Sequence, residues 1–308
     1  MSDRLPPLTA LRAFDAAARH MSFARAAEEL NVTPAALSFQ IKNLEEHLGQ
    51  PVFRRLNRAV ELTEAGRALA PGAAEGFATL QSAWAAARRV GDTRTLTVTA
   101  GPGFTSKWLA PRLFLFAQEN PDIELRFSAS LRLMDFARDE VDVAIRFGQS
   151  ADTGLYSEKI IEEWMAPMVT PDMASRIRTP EDLARLPLLH QDDTAFLKPE
   201  VSWRVWFAKM GLADEERPGT HFSQADHAVA AALSGAGALL GRVSMTERHL
   251  SDGTLVMPFA ETLDAHAAYR LVCPIGVEKR PQVRRFMQWV RSEVSSIADL
   301  TRDRKFLD

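Results

Sequence analysis

SFARAAEELNVTPAALSFQIKNLEEHLG, residues 22–49, decides how this chain is read. Ser22 is placed to cap a short helix whose Phe23, Ala26, Ala27 and Leu30 share one apolar face. Asn31-Val32-Thr33 breaks the pattern, and Thr33-Pro34 restarts it. Threonine at an N-cap accepts a backbone N–H, and proline at the first helical position has no N–H to leave unpaired. Leu37, Ile41, Leu44 and Leu48 then form a stripe facing a small core, Gly49 supplies the stop, and Pro51 prevents resumption. Ala35, Ser38, Phe39 and Lys42 occupy the other face. Small and hydroxyl residues there suit a helix lying close to base edges.

Two short helices with a tight turn also occur in bundles, so the next segment matters. PVFRRLNRAVELT, residues 51–63, holds two short β-type runs, Val52-Phe53 and Val60 to Leu62, with Arg54, Arg55, Asn57 and Arg58 between or beside them. This is a basic two-stranded wing, whose guanidinium groups would reach phosphates or a narrow minor groove. Taken together, LTALRAF, SFARAAEELNVTPAALS, QIKNLE, FRR and LTEAG across residues 8–66 resemble the N-terminal domain of LysR-type transcriptional regulators. The resemblance is strongest to the branch of the glycine-cleavage activator and the β-lactamase regulator, and extends more weakly to about residue 290. Phe39 departs from it, standing where the family usually has a polar or basic residue. The candidate DNA-binding residues are Ser22, Arg25, Thr33, Pro34, Ala35, Ser38, Phe39, Lys42, Arg54, Arg55, Asn57 and Arg58.

At 308 residues the chain is too long for one small core. A net charge of −3 excludes a polycationic nucleic-acid binder. Residues 1–90 carry 11 Lys and Arg against 9 Asp and Glu, and the remainder 26 against 31, so any DNA binding depends on where the arginines sit. The lone Cys273 forbids an intrachain disulfide and fits a reducing cytoplasm. With no long apolar run and no secretory signal at the start, a cytoplasmic protein without membrane partner is expected.

Leu8, Leu11, Phe14, Ala18 and Met21 predict an amphipathic first helix behind the helix-turn-helix. From Thr63-Glu64 a long helix runs to about Val90. Leu69, Ala73, Gly76, Leu80, Ala83 and Ala87 make its heptad-like seam, with Phe77 and Trp84 on the flank and Pro71 in its early turns. No second helix adjoins it in sequence, so the stripe points to a partner chain; in the family this is the dimerisation helix. Residues 91–95 read as a hinge. Beyond it strands alternate with helices, which predicts parallel sheet covered by helices. Strands are expected at 96–100, 123–127, 141–147, 186–190, 220–223, 238–241, 255–258 and 267–274. Helices are expected at 106–119, from 179, at 225–234 and at 281–297. The chain crosses into a second α/β unit near residues 164–169 and returns at 267–274.

The expected fold class is therefore α/β with a winged helix-turn-helix N-terminal domain of all-α type. The domains are 1–62 for DNA binding, 63–90 as linker helix, 91–95 as hinge and 96–300 for effector binding. By resemblance the last is a periplasmic-binding-protein-like domain of two lobes, 96–164 with 265–300, and 165–264.

Enzyme motifs are absent: there is no P-loop, H-E-x-x-H or G-x-S-x-G. Gly101-Pro-Gly103 lacks the third glycine of a dinucleotide fingerprint, and the scattered histidines, His221 and His227 included, read as structural, so no cofactor or metal is expected. Ligands of open α/β folds lie beyond the C-terminal strand ends. Those ends are Gly101, Pro102, Gly103, Phe104 and Thr105; Ser128 and Ser130 leading to Asp135; and Ser223, Gln224 and Asp226. Ser223 and Asp226 suit helix capping equally well. Tyr269 is placed either in the cleft or in the core, and Arg146 either lines the cleft or pairs with Asp142. Amides at Gly103, Phe104 and Thr105, at the start of a helix, favour an anionic head group. Asp135 and Asp226 would repel a second one, which suits a zwitterion such as an amino acid.

The reading is a sequence-specific transcriptional regulator that binds promoter double-stranded DNA and answers to a small-molecule effector. By resemblance it is a homo-oligomer, dimer or tetramer, with RNA polymerase as a further partner. A ligand-independent architectural DNA-binding protein and an enzyme built on the α/β lobes are the alternatives.

Overall fold

A computed structural model describes residues 5–55, 60–88, 91–136 and 139–307. The chain divides into two units, residues 1–90 and 91–308.

The first unit runs α1 (Leu8–His20), α2 (Phe23–Glu29), α3 (Pro34–Leu48), β1 (Phe53–Arg55), β2 (Val60–Leu62) and α4 (Glu64–Arg88). Its caps form as the sequence dictates. Ser22 Oγ accepts from the Arg25 N–H at 3.4 Å and Thr33 Oγ1 from the Ala36 N–H at 3.2 Å. Gly49 closes α3 at φ 79°, in the left-handed region that glycine enters without penalty. Ala10, Ala13, Phe14 and Ala17 of α1 meet Ala26 and Ala27 of α2, Leu37, Ile41 and Leu44 of α3, and Val52 and Phe53. The Phe53 ring lies 5.5 Å from Phe14 and edge-on to Phe23 at 5.2 Å. The expected stripe of α1 is thus only partly right. Phe14 is buried, with Leu11 and Ala18 at the margin, but Leu8 and Met21 are exposed. The buried side of α1 is mostly alanine, because three short helices can approach this closely only over small side chains. Leu48 is likewise exposed, since the last turn of α3 has passed the end of the core.

The second unit holds β3 (Thr95–Ala100), α5 (Pro102–Phe104), a π-helical segment Thr105–Leu109, α6 (Ala110–Glu119), β4 (Glu124–Ala129), β5 (Val143–Gly148), β6 (Leu155–Met168), α7 (Pro171–Ala174), α8 (Pro180–Ala184), β7 (Leu188–Gln191), α9 (Trp203–Lys209), β8 (Gly219–Phe222), α10 (Ala225–Leu233), β9 (Ala238–Arg242), α11 (Val243–Ser251), β10 (Glu261–Pro274), α12 (Pro281–Glu293), α13 (Ser295–Thr301) and β11 (Lys305–Phe306). The main strands lie in the order β4-β3-β5-β10-β6-β9-β7-β8. Pairing is parallel for β4, β3 and β5 at one end and for β9, β7 and β8 at the other. It is antiparallel wherever β6 or β10 meets a neighbour in this order. The expected parallel sheet therefore exists at both ends and fails in the middle. β6 carries the chain out of the first lobe and β10 brings it back, so β10 must run against the strands that point outward. The C-terminal ends of both parallel sets aim at this crossing.

Other boundaries differ as well. The helix expected from residue 106 starts at Pro102. The predicted 267–274 strand starts at Glu261, and the 281–297 helix is interrupted at Val294. Residues 255–258 make one bridge, Val169 to Val256, and no strand, since Pro258 has no N–H to extend a ladder. β6 itself escaped the strand count because Glu158, Glu162 and Glu163 interrupt its apolar run. Cys273 sits on β10 at 0% exposure, and burial pushes its thiol up to about 12. Among the described residues no helix is long and apolar enough to cross a membrane.

Gly66 fixes where α4 leaves the wing. A Cβ there would stand 2.2 Å from the Val52 carbonyl oxygen, whereas one at Gly72 would meet nothing within 4 Å. Gly66→Ala should destabilise by roughly 1–3 kcal/mol through forced displacement. Gly72→Ala should stabilise by about 0.5–1 kcal/mol through helix propensity. Urea melts of the full chain read both; equal shifts would mean that the Val52 contact yields freely.

Candidate DNA-binding surface and effector cleft

On α3 the core residues Leu37, Ile41 and Leu44 define the inward side. Thr33, Pro34, Ala35, Phe39 and Lys42 are exposed and Ser38 is half-buried. Phe39 is 66% exposed. Lys42 lies 3.6 Å from Glu46, an exposed pair of little energetic weight. Phe23, Ser38, Phe39, Ile41, Lys42, Glu45 and Phe53 enclose a hollow of about 320 Å³ beside the helix. Glu45 closes one wall, its Oε1 accepting from the Val52 N–H at 2.9 Å. Ser22 is half-buried and Arg25 exposed. Arg54 is exposed on β1 opposite Glu61, and Arg55 pairs with Val60 in backbone register. Asn57 and Arg58 lie outside the described residues. Farther along, Leu69 and Ala73 of α4 pack on the core, but Leu80 and Trp84 are 50% and 69% exposed.

In the second unit the strand ends converge unevenly. Gly101 ends β3 as the N-cap of α5, and a Cβ there would meet nothing within 4 Å. Gly103 is different. A Cβ would come within 3.1 Å of the Met245 Cε and 3.8 Å of the Asp226 Cβ, so α11 and α10 already fill the space expected for a ligand at Gly103. Nor is the Thr105 amide free. Both its N–H and its hydroxyl donate to the Gly101 carbonyl, at 2.9 and 2.8 Å, because the helix starts at Pro102. Pro102 has no N–H, which leaves Gly103 and Phe104 as the first-turn donors.

Phe104 stacks on Tyr269 at 4.2 Å, and Tyr269 tilts against Phe147 at 5.0 Å. Tyr269 is buried, and burial pushes its hydroxyl above the usual phenol range. Ser128 and Ser130 sit beside the end of β3. The Ser128 carbonyl accepts from Thr99 Oγ1, and the Ser130 N–H donates to the Ala100 carbonyl. Asp135 lies in the following exposed loop, its N–H donating to Asp139. Arg146 neither pairs with Asp142 nor joins Tyr269. Period two along β5 puts it on the face opposite Phe147, where it pairs with Asp152, donates to the Met134 carbonyl at 2.8 Å and covers the Phe136 ring. Asp142 instead takes Arg280, at 2.6 Å. Gln224, not Ser223, is the N-cap of α10, and no side chain caps it. Ser223 is exposed, and Asp226 keeps a buried Oδ1 without a hydrogen-bond partner.

Sequence reading missed the buried polar cluster beneath these residues. Glu163 on β6, 1% exposed, accepts from the Ser244 N–H at 3.1 Å and hydroxyl at 2.5 Å. Arg242, 3% exposed, pairs with Asp193 at 2.5 Å and lies over the Phe147 ring at 5.2 Å. Arg242 Nε and Asp193 Oδ1 have no partner. Burial pushes the Glu163 carboxyl above its usual range, against the opposing pull of Arg242 and the Ser244 hydrogen bonds. The one sequence signal was a cation closing the otherwise apolar Ala238-Leu-Leu-Gly run. The Phe104, Tyr269 and Phe147 rings and the Arg242 guanidinium thus form one contiguous chain of contacts. Among the described residues no cluster of three metal-ligating side chains exists.

Two family models match the chain. Residues 8–67 match the bacterial regulatory helix-turn-helix protein of the lysR family, and residues 89–295 the LysR substrate binding domain. The glycine cleavage system transcriptional activator of Escherichia coli K12 is 38% identical over 300 residues, 96% of either chain. The HTH-type transcriptional activator AmpR of Rhodobacter capsulatus is 34% identical over 287 residues, 93% of this chain and 97% of that protein. Among solved structures, the effector domain of the transcriptional regulator AmpR of Pseudomonas aeruginosa aligns with 68% of this chain and 98% of its own, at TM-score 0.53 and 28% identity. CrgA of Neisseria meningitidis, a LysR-type transcriptional regulator, shares the fold over 93% of this chain and 98% of its own, at TM-score 0.51 and 21% identity.

Glu163 makes the pH dependence testable. Its carboxyl is raised in the folded state, so between the ordinary carboxylate pKa and the raised one the folded chain binds more protons than the unfolded chain. Its contribution is therefore fully present below the ordinary value and lost as pH rises through the folded value. Glu163→Gln keeps an acceptor for the Ser244 N–H and removes the ionisation. Relative to wild type, this variant should gain stability as urea melts are moved from about pH 4.5 to pH 8. A difference that does not change with pH would show that Glu163 is not raised.

Proposed function

The chain belongs to the LysR family of transcriptional regulators, and from that premise we propose how its parts divide the work. The helix-turn-helix with its wing binds promoter double-stranded DNA, α3 entering the major groove and the arginines of residues 54–58 meeting the backbone. The observation that carries this is the exposed face of α3, where Ala35, Phe39 and Lys42 stand clear of the core. α4 joins two chains through Leu80 and Trp84. A small effector lies at the strand ends between Gly101, Ser128, Ser130, Gln224 and Asp226, over the Phe104 and Tyr269 rings, and biases the two lobes that β6 and β10 connect. Arg146 is left out of this set. Relatives named as activators motivate the extension to activation through RNA polymerase in the cytoplasm.

The direct test is a footprint on the DNA flanking the gene that encodes this chain. A protected, roughly symmetric site is expected, and no protection there or on genome-selected fragments would remove the DNA-binding reading. Leu80→Glu with Trp84→Glu should give monomers in sedimentation and lose that footprint, since an unpaired charge buried in an interface costs about 3–5 kcal/mol. An unchanged oligomer would place the seam elsewhere.

Gly101 is the better probe of the effector because a Cβ there meets nothing within 4 Å. An amino-acid panel screened by thermal shift should contain a compound that raises the melting temperature, as ligands specific to the folded state do. Gly101→Leu should abolish that shift without lowering the melting temperature of the unliganded protein. A shift of wild-type size in the variant would move the ligand away from the end of β3.

A further inference from the structure

We propose that Phe39 reads the C5-methyl group of one thymine in each operator half-site; this rests on the DNA-binding reading above. Helix geometry supplies the first step. At about 100° per residue, Leu37, Ile41 and Leu44 cluster within about 60° of arc, and Phe39 stands nearly opposite their centre. Ala35 and Lys42 lie about 40° and 60° round the helix from it, both on the same side. An aromatic ring, 66% exposed, is therefore aimed almost directly away from the core of α3.

That placement is unfavourable for an isolated domain, because a large apolar side chain is left in water. It becomes favourable where the ring meets an apolar surface. Phe39 offers no donor or acceptor to a base edge, so it cannot recognise guanine, cytosine or adenine by hydrogen bonding. In the major groove the apolar feature is the thymine methyl. The surroundings favour DNA over a protein surface. Lys42 and Arg54 are exposed cations on adjoining elements, and the Ala35 methyl one turn earlier leaves room for a groove wall to approach. The ring also borders the hollow formed with Phe23, Ser38 and Phe53, so it stands beside open space instead of packing into it.

The test uses the full-length protein and the footprinted operator. Synthetic duplexes replace each thymine in turn, in both half-sites, by deoxyuridine, which removes the methyl and leaves every hydrogen-bonding atom in place. One position should weaken wild-type binding about fourfold per half-site, the scale of one methyl group taken out of water. The same replacement should leave Phe39→Ala unaffected and Phe39→Leu partly affected. Melting temperatures of both variants should match wild type, since Phe39 is outside the core. The proposal is overturned if no thymine methyl matters to wild type, or if the methyl effect persists in Phe39→Ala. Absence of any footprint overturns it too, but through the DNA-binding reading itself, and the two failures are told apart by whether wild type protects the duplex at all.

Discussion

Everything in the second unit depends on two strands being paired through both lobes. β6 and β10 run antiparallel from Leu155 opposite Pro274 to Met165 opposite Leu263. No other described strand belongs to both lobes. Their register breaks between Asp264 and Ala268, where His266 takes a positive φ of 47°. The pair is thus least regular near the passage from one lobe to the other. Side chains reinforce it: Ser244 of the second lobe is tied to Glu163 on β6, and Arg112 of the first pairs with Glu247 of the second. A change in the angle between lobes would strain such cross-lobe bonds. That gives a physical reason for a ligand at the strand ends to influence both lobes.

Much of this was legible in the chain before its structure. Caps at Ser22 and Thr33, the stop at Gly49 and the stripe through Leu37, Ile41 and Leu44 are local matters, decided by residues within one turn of each other. β3, β5, β7, β8 and β9 were visible because short apolar runs bounded by turn residues need no knowledge of partners. β6 was not, because its glutamates find their partners only after folding: Glu158 pairs with Arg291, and Glu163 accepts hydrogen bonds from Ser244 in the field of Arg242. The mixed sheet was hidden for the same reason, since strand direction in the middle is set by the return of the chain from the other lobe. At the candidate site, Gly101 and Tyr269 were singled out by position along the sequence, and Tyr269, left open between cleft and core, is buried. Arg146 was left between the cleft and a pair with Asp142 because its phase on β5 could not be fixed without knowing which face held the core; the pair with Asp142 does not form. The Met245 side chain at Gly103 could not be foreseen from residues more than a hundred positions away.

The first unit keeps apolar surface in two places for contrasting reasons. Its core is built largely of alanine, so little is left over for large side chains except at the rim. Phe39 stands out because α3 turns it away from that core, and Leu80 and Trp84 stand out because α4 runs on past it. The same helical period that closes the domain therefore also decides which residues it leaves available. Net charge contributes little to this division, with an excess of two cations over residues 1–90. Shape and side-chain direction carry more of it than the overall field.

Cys273 lies near the C-terminal end of β10, fully buried and with its thiol proton held tightly. A single thiol of this kind is unreactive toward maleimides and iodoacetamides while the chain is folded. Spectroscopic reporters can accordingly be attached at cysteines introduced on each lobe without first removing the native one. Distances between fluorophores or spin labels would then follow the opening of the cleft in an otherwise unaltered protein, and exposure of Cys273 to the same reagents would time the separation of β10 from its neighbours.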